Sequence, residues 1–221
     1  MSDPALHVLD EPEKAVAELL ASAARSGESI VLTGGSSVGK AYERAAALEP
    51  DWSSASVWWG DERCVPPEHE LSNYLLAKHT LLDRLDGAPD VHRIRGELDP
   101  ADAAGEYEQA IDGATLDFLL LGLGPDAHIA SLFPGSPQLD ERERLVTSGP
   151  PGLEPWVDRV TLTLPALLAA TRVVFLVTGP DKTDAVQRGF RDPVSPAAPA
   201  SLLRLGDVPI HVYLDAAASG G

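Results

Sequence analysis

Asp117-Phe118-Leu119-Leu120-Leu121-Gly122-Leu123-Gly124-Pro125-Asp126-Ala127-His128-Ile129-Ala130-Ser131-Leu132-Phe133-Pro134-Gly135 is the stretch on which the reading of this chain turns. Asp117 to Leu121 is a short apolar run of buried-strand length. Two glycines and a proline then break it, so the backbone must turn. The turn delivers Asp126 and His128 two residues apart, ahead of a small, apolar, helix-compatible segment. In an open parallel sheet, ligands bind outside the carboxyl ends of the strands. A carboxylate beside an imidazole at such a place can move protons.

Working outward, strand and helix patterns alternate. Ala5 to Leu9 reads as a strand, and Asp10 as the cap of a helix with Pro12 in its first turn, running to about Arg25. Ser29 to Thr33 is a strand, followed by Gly34-Gly35-Ser36-Ser37-Val38-Gly39-Lys40 and a helix to about Leu48. Glycines let backbone N–H groups approach an anion, and a helix start adds donors. The loop fits neither Walker A spacing nor Gly-x-Gly-x-x-Gly. Ser56 to Gly60 is a strand with Asp61-Glu62-Arg63 at its end; a guanidinium there suits phosphate or carboxylate. Ser72 or Asn73 caps a helix to about Leu82, Val91 to Ile94 is a strand, and Asp99-Pro100 opens a helix to about Ile111. Gln138 to Gly152 is polar and expected to wrap the surface; Trp156 to Leu162 looks extended, and Leu164-Pro165 starts a short helix. Arg172 to Thr178 is a buried strand, and Lys182 begins the helix after it, up to about Arg188. A proline-rich connector (Pro193 to Pro199), a last strand (Val208 to Leu214) and a frayed tail from Ala216 complete the pattern. This alternation predicts one domain over residues 1–221: an α/β fold with a mostly parallel, Rossmann-like sheet and helices on both faces.

Composition narrows the partners. The 221 residues carry 17 basic and 34 acidic side chains, a formal net charge of −17. Nucleic acid or an anionic membrane would require a basic face, so neither is expected as a partner. With 44% hydrophobic residues the chain can build a core. A single cysteine, Cys64, forms no internal disulfide, and the acidic Asp61-Glu62 pair beside it does not favour a thiolate. No run of about 18 apolar residues and no basic, apolar leader stands in the sequence, so a cytoplasmic enzyme is expected. His7, His69, His79, His92 and His211 show no ligand spacing, and no metal is expected.

Several blocks together carry a family resemblance. They are Leu32-Thr33-Gly34-Gly35-Ser36, Trp59-Gly60-Asp61-Glu62-Arg63 with Val65-Pro66 and Ser72-Asn73-Tyr74, the Leu121–His128 loop with Ser131-Leu132-Phe133-Pro134-Gly135, Arg159-Val160-Thr161-Leu162-Thr163-Leu164-Pro165, Phe175 to Lys182, and Pro199-Ala200-Ser201-Leu202-Leu203. In this order they resemble the 6-phosphogluconolactonases of the glucosamine-6-phosphate isomerase family. The resemblance implies the fold shared with glucosamine-6-phosphate deaminase and ribose-5-phosphate isomerase. It also implies hydrolysis of 6-phospho-D-glucono-1,5-lactone to 6-phospho-D-gluconate in the oxidative pentose phosphate pathway, with no cofactor or metal. On that reading His128 is the general base and Asp126 orients it. Arg63, Lys182 and the Gly34-Gly35-Ser36 loop hold the phosphate, while Asp61 and Asn73 contact sugar hydroxyls or support the site. The partner is a small phosphosugar lactone, and the chain is a monomer or a weak homo-oligomer.

Two alternatives share much of this pattern. A sugar-phosphate deaminase or isomerase has the same glycine loop and an Asp-x-His loop, but usually an aromatic residue where Arg63 stands and a further acid in place of the Ser131–Gly135 block. A non-catalytic sugar-phosphate sensor would not need Asp126 and His128. The chain also departs from the family pattern. Val38 stands where a proline is usual, and Ala127 and Ile129 replace the glycine and threonine flanking the histidine. If residue 127 requires a positive φ, alanine strains the loop by roughly 1 kcal/mol or more.

Overall fold

A computed structural model describes residues 3–35 and 37–220. In chain order the elements are β1 (Ala5–Val8), α1 (Pro12–Arg25), β2 (Ser29–Leu32), α2 (Val38–Leu48), β3 (Ser56–Trp59), β4 (Asp61–Arg63), α3 (Asn73–Thr80), β5 (Asp90–Val91), α4 (Pro100–Ile111), β6 (Phe118–Leu121), β7 (Val146–Gly149), β8 (Arg159–Leu162), α5 (Leu164–Leu168), β9 (Arg172–Val177), α6 (Thr183–Val186), α7 (Pro199–Leu202), β10 (Ile210–Leu214) and α8 (Ala216–Ser219).

Seven strands form a sheet in the order β1-β10-β9-β6-β2-β3-β5, and each neighbouring pair is parallel. Its central strands are apolar because both faces are covered: every residue of β6 is buried, and so are five of six in β9. Parallel strands need crossovers, and these are right-handed in nearly all proteins. The β1–α1–β2 and β2–α2–β3 crossovers run in one direction across the sheet, which puts α1 and α2 together on one face, where they pack on each other. The β5–α4–β6 and β9–β10 crossovers run the other way, so α4, α6 and α7 cover the opposite face. The expected α/β architecture is therefore present. The strand order reverses between β2 and β6, which opens a crevice at their carboxyl ends.

A second sheet, β4-β8-β7, is antiparallel and was not legible in the pattern. Asp61-Glu62-Arg63, expected only as the end of the preceding strand, is an edge strand of this sheet, and the polar stretch after Gln138 contains β7. Other expectations shift as well. Glu11, not Asp10, precedes α1, and it makes no side-chain cap. The strand expected at Val91–Ile94 is only Asp90–Val91. No helix follows His128, because Ala130 adopts φ 47° and ends any helical path there. The tail is not frayed: Asp215 caps α8 by accepting from the N–H of Ala218 at 2.7 Å.

Glu62 joins β4 of the second sheet to α3. It is 2% exposed, yet no cation pairs with it among the described residues. Its carboxylate accepts from the N–H groups of Arg63 and Asn73 at 2.7 Å each, from that of Tyr74 at 2.8 Å, and from Ser72 Oγ at 2.9 Å. Ser72 in turn caps α3, accepting from Leu75 N–H. Burial pushes the Glu62 carboxyl above its ordinary range, against the pull of the four donors. Glu62→Gln turns one acceptor oxygen into an amide aimed at N–H groups. The expected cost is about 1–3 kcal/mol in urea denaturation; a change under about 0.5 kcal/mol would show that the carboxylate does not hold this junction.

Candidate active site

The crevice between β2 and β6 is an open cleft of about 340 Å³. Thr33, Gly34 and Gly35 enter it from β2, Asp61 and Arg63 from the end of β3, Gly122, Leu123, Gly124, Pro125 and His128 from β6, and Thr178 and Lys182 from β9. The four strand ends singled out in the sequence thus converge. Ser36 lies outside the described residues.

His128 is oriented from within its own loop. Its Nδ1 lies 2.5 Å from Asp126 Oδ1, and the same oxygen accepts from the His128 backbone N–H at 3.1 Å. Burial raises the Asp126 carboxyl, but its hydrogen bond to His128, the imidazole charge and local backbone N–H groups outweigh that and hold it below the ordinary carboxylate range. An ionised carboxylate only accepts, so Nδ1 carries a proton, and in the neutral ring Nε2 holds the lone pair. Among the described residues Nε2 has no hydrogen-bond partner. The ring leans on Phe133, with centroids 4.4 Å apart. Gly124 makes room for it, since a Cβ there would overlap the imidazole.

The departures from the family pattern have physical readings. Ala127 has φ 66° and is wholly buried, so the strain expected of an alanine at this position is present. Ile129 is also fully buried, where a methyl-rich side chain fits better than a hydroxyl. Val38 is the first residue of α2, the position at which a proline costs nothing.

Asp61 and Asn73 face the cleft with most of their polar atoms engaged. Asp61 Oδ2 accepts from Ser131 Oγ at 2.6 Å, and Oδ1 faces Asn73 Nδ2 at 3.3 Å. Asn73 Nδ2 also donates to Asp61 O at 2.8 Å, while its Oδ1 accepts from Arg63 Nη1 at 2.6 Å. The amide sits where a Cβ on Gly34 would be, so only glycine fits at that turn. These bonds fix Arg63, which donates to Leu71 O as well. Lys182 Nζ lies 3.3 Å from Asp181 Oδ2, with 23% of its side chain exposed at the cleft wall. Ser37 Oγ and Thr178 Oγ1, 2.5 Å apart, bridge the β2 and β9 loops.

One site residue escaped the sequence reading. Arg159 stands directly opposite Arg63 across the antiparallel β4–β8 ladder. It lines the cleft and is 3% exposed. Like charges paired this way are unfavourable. Burial, and then the charge of Arg63, hold the Arg159 guanidinium below its usual range. Neither Arg63 Nε nor Arg159 Nε has a hydrogen-bond partner among the described residues, though both are buried. Two facing guanidiniums with spare donors suit a planar or tetrahedral anion. The available signal was an arginine opening the alternating Arg159-Val160-Thr161-Leu162 strand; its partner across the ladder was not readable. Cys64 takes no part: burial first, then Asp158 and Glu62, push its thiol up to about 11.

Residues 5–211 match the family model described as glucosamine-6-phosphate isomerases/6-phosphogluconolactonase. The chain belongs to that family. A 6-phosphogluconolactonase of a Nostoc species is 40% identical over 172 residues, spanning 73% of this chain and 70% of that relative. The 6-phosphogluconolactonase of Mycobacterium tuberculosis is 41% identical over 200 residues, 81% of each chain. Among solved structures, 6-phosphogluconolactonase from Leishmania guyanensis matches with a TM-score of 0.87 at 26% identity, covering 99% of this chain and 98% of that one. A monomeric glucosamine-6-phosphate deaminase matches with the same TM-score at 18% identity, covering 98% and 99%, and so shares the fold. In this glucosamine-6-phosphate isomerase/6-phosphogluconolactonase family member, no helix among the described residues is long and apolar enough to cross a membrane.

Two outcomes follow from this geometry. Ala127→Gly relieves the positive φ and is expected to raise stability by roughly 0.5–1 kcal/mol in urea denaturation; a loss of stability would mean that the loop is not strained there. Inorganic phosphate is expected to raise the Tm of the native chain by mass action, and Arg159→Met to abolish that rise. Equal protection of both proteins would remove Arg159 from the anion site.

Proposed function

We propose that the protein hydrolyses 6-phospho-D-glucono-1,5-lactone to 6-phospho-D-gluconate, the lactonase step of the oxidative pentose phosphate pathway, with His128 as general base. The observation that carries this is the His128–Asp126 pair at 2.5 Å, which leaves Nε2 without a partner among the described residues in a cleft whose other wall holds Arg63 and Arg159. Such a site has a base and an anion cradle in one cleft, as a phosphorylated ester requires. The names of the relatives at 40–41% identity point to the same substrate.

The chemistry runs in two halves. His128 Nε2 takes a proton from water as its oxygen attacks the lactone carbonyl carbon, and the carbonyl π pair moves onto oxygen. The tetrahedral intermediate then collapses, the bond from that carbon to the ring oxygen breaks, and the imidazolium returns its proton to the ring oxygen as it becomes a hydroxyl. The new carboxylic acid releases its proton to solvent. Asp126 keeps the Nδ1–H tautomer and stabilises the imidazolium. The phosphate lies against Arg63, Arg159 and Lys182, with the Gly34–Gly35 backbone beside it. Asp61 and Asn73 support Arg63 and face the sugar hydroxyls. No cofactor is part of the scheme.

Arg63 and the Ser131 block argue against the deaminase reading. Ser131 contributes its hydroxyl to Asp61, where a further acid would repel that carboxylate. The test is a coupled assay of 6-phosphogluconate formation from freshly made lactone in EDTA, with the spontaneous opening subtracted. The native protein is expected to accelerate hydrolysis, and His128→Ala to lower kcat by about 10²–10⁴-fold with little change in KM. No acceleration would refute the lactonase reading; a near-normal kcat in His128→Ala would refute the base assignment.

A further inference from the structure

The loop that carries Asp126 and His128 is short of internal support. Its own backbone bonds are Ala127 N–H to Gly124 O at 2.9 Å and Gly124 N–H to His128 O at 3.0 Å. Within it Ala127 is held at φ 66°, a conformation that alanine leaves readily unless its surroundings enforce it. Three consecutive carbonyls of this loop, those of residues 125, 126 and 127, take no donors from within it among the described residues.

All three receive them from the chain after β9. Arg188 Nη2 donates to Pro125 O at 3.1 Å, and Nη1 to Asp126 O at 3.2 Å. The backbone N–H of Ala200 donates to Ala127 O at 3.0 Å. Arg188 sits in the wide π-turn Gln187–Arg191 that continues α6. Asp184, one turn back, holds its Nε at 2.6 Å and so turns the planar fork toward the loop. Nη1 also reaches Ala197 O at 3.4 Å, which ties in the connector before α7.

From this arrangement we infer that Arg188 is a positioning residue: its guanidinium clamps the carbonyls of Pro125 and Asp126 and so holds the strained Ala127 turn in the one conformation that aims His128 into the cleft. It touches no substrate. The inference rests on the reading of His128 as the catalytic base. An arginine is suited to the task because two parallel N–H groups bridge adjacent carbonyls; a lysine ammonium is a point donor and reaches one. Where a glycine at residue 127 would hold the turn unaided, alanine makes the loop depend on this external clamp.

The experiment compares native protein, Arg188→Met, Arg188→Lys, Ala127→Gly and the Arg188→Met/Ala127→Gly double variant in the lactone assay. Hydrogen exchange of the 124–130 backbone is measured alongside. Displacement of a reacting group by about 1 Å can cost up to about 100-fold. Arg188→Met is therefore expected to lower kcat by about 10- to 100-fold while KM stays within about twofold, and to speed exchange in the loop selectively. Arg188→Lys is expected to recover only part. Ala127→Gly is expected to raise the activity of Arg188→Met by about 3- to 10-fold more than it alters that of the native protein, since residues that act on one loop couple. A native kcat in Arg188→Met, a raised KM at unchanged kcat, equal gains from Ala127→Gly in both backgrounds, or exchange that quickens across the whole chain would each overturn the clamp. His128→Ala separates the two readings. If it is inactive while Arg188→Met is fully active, the clamp fails and the base assignment stands. If it retains activity, the base assignment fails and the clamp with it.

Discussion

A carboxylate with no counter-ion among the described residues determines the shape of the cleft wall that carries Arg63. Glu62 is buried and surrounded by three backbone N–H groups and one hydroxyl. Those four donors would otherwise be orphaned at the start of α3 and the end of β4. By collecting them, Glu62 sets where α3 begins, and so where Asn73 stands. Asn73 then sets Arg63 on one side and Asp61 on the other. Asp61 reaches Ser131, three residues beyond His128. A chain of bonds therefore runs from the first turn of a helix to the far loop of the cleft. The antiparallel sheet, the start of α3 and Ser131 are parts of one network.

The cleft and the loops behind it are built from groups that a fold optimised for stability would avoid. Arg63 and Arg159 oppose each other with like charge and unfilled donors. Ala127 occupies backbone space that disfavours a side chain. Such features persist where surrounding structure over-determines them, and they gather at sites that bind or react. The parallel sheet supplies that surplus: β6 and β9, which launch two of the four loops, are apolar and almost wholly buried.

The sequence was legible where local pattern and burial agree. β2, β6 and β9 are apolar runs ended by glycine, and each delivers its loop where the pattern put it. The second sheet was hidden because β4 is three charged residues and β7 is Val-Thr-Ser-Gly, neither of which has a strand's apolar face. What makes Asp61-Glu62-Arg63 a strand is a partner about a hundred residues away, and long-range pairing leaves no local mark. Arg159 was missed for that reason, as were the donors that reach the His128 loop from Arg188 and Ala200. The segment after His128 looked helical by composition, yet Ala130 turns left-handed and the next N–H, that of Ser131, bonds to Thr161 Oγ1 on β8. Tertiary bonds overrode propensity there.

The strand order also has a consequence in time. β1 has one neighbour in the sheet, β10, and their residues pair about two hundred positions apart. As the chain is made, the first strand has no edge to join until the last has emerged. Helices α1 and α2 can already pack on each other, and β2, β3 and β6 can align. The sheet's final edge closes only at the end, by the slow, entropically costly joining of distant segments. Until then the open side of β9 is an unpaired, apolar strand edge, and this is where a nascent chain is exposed to mispairing with its neighbours.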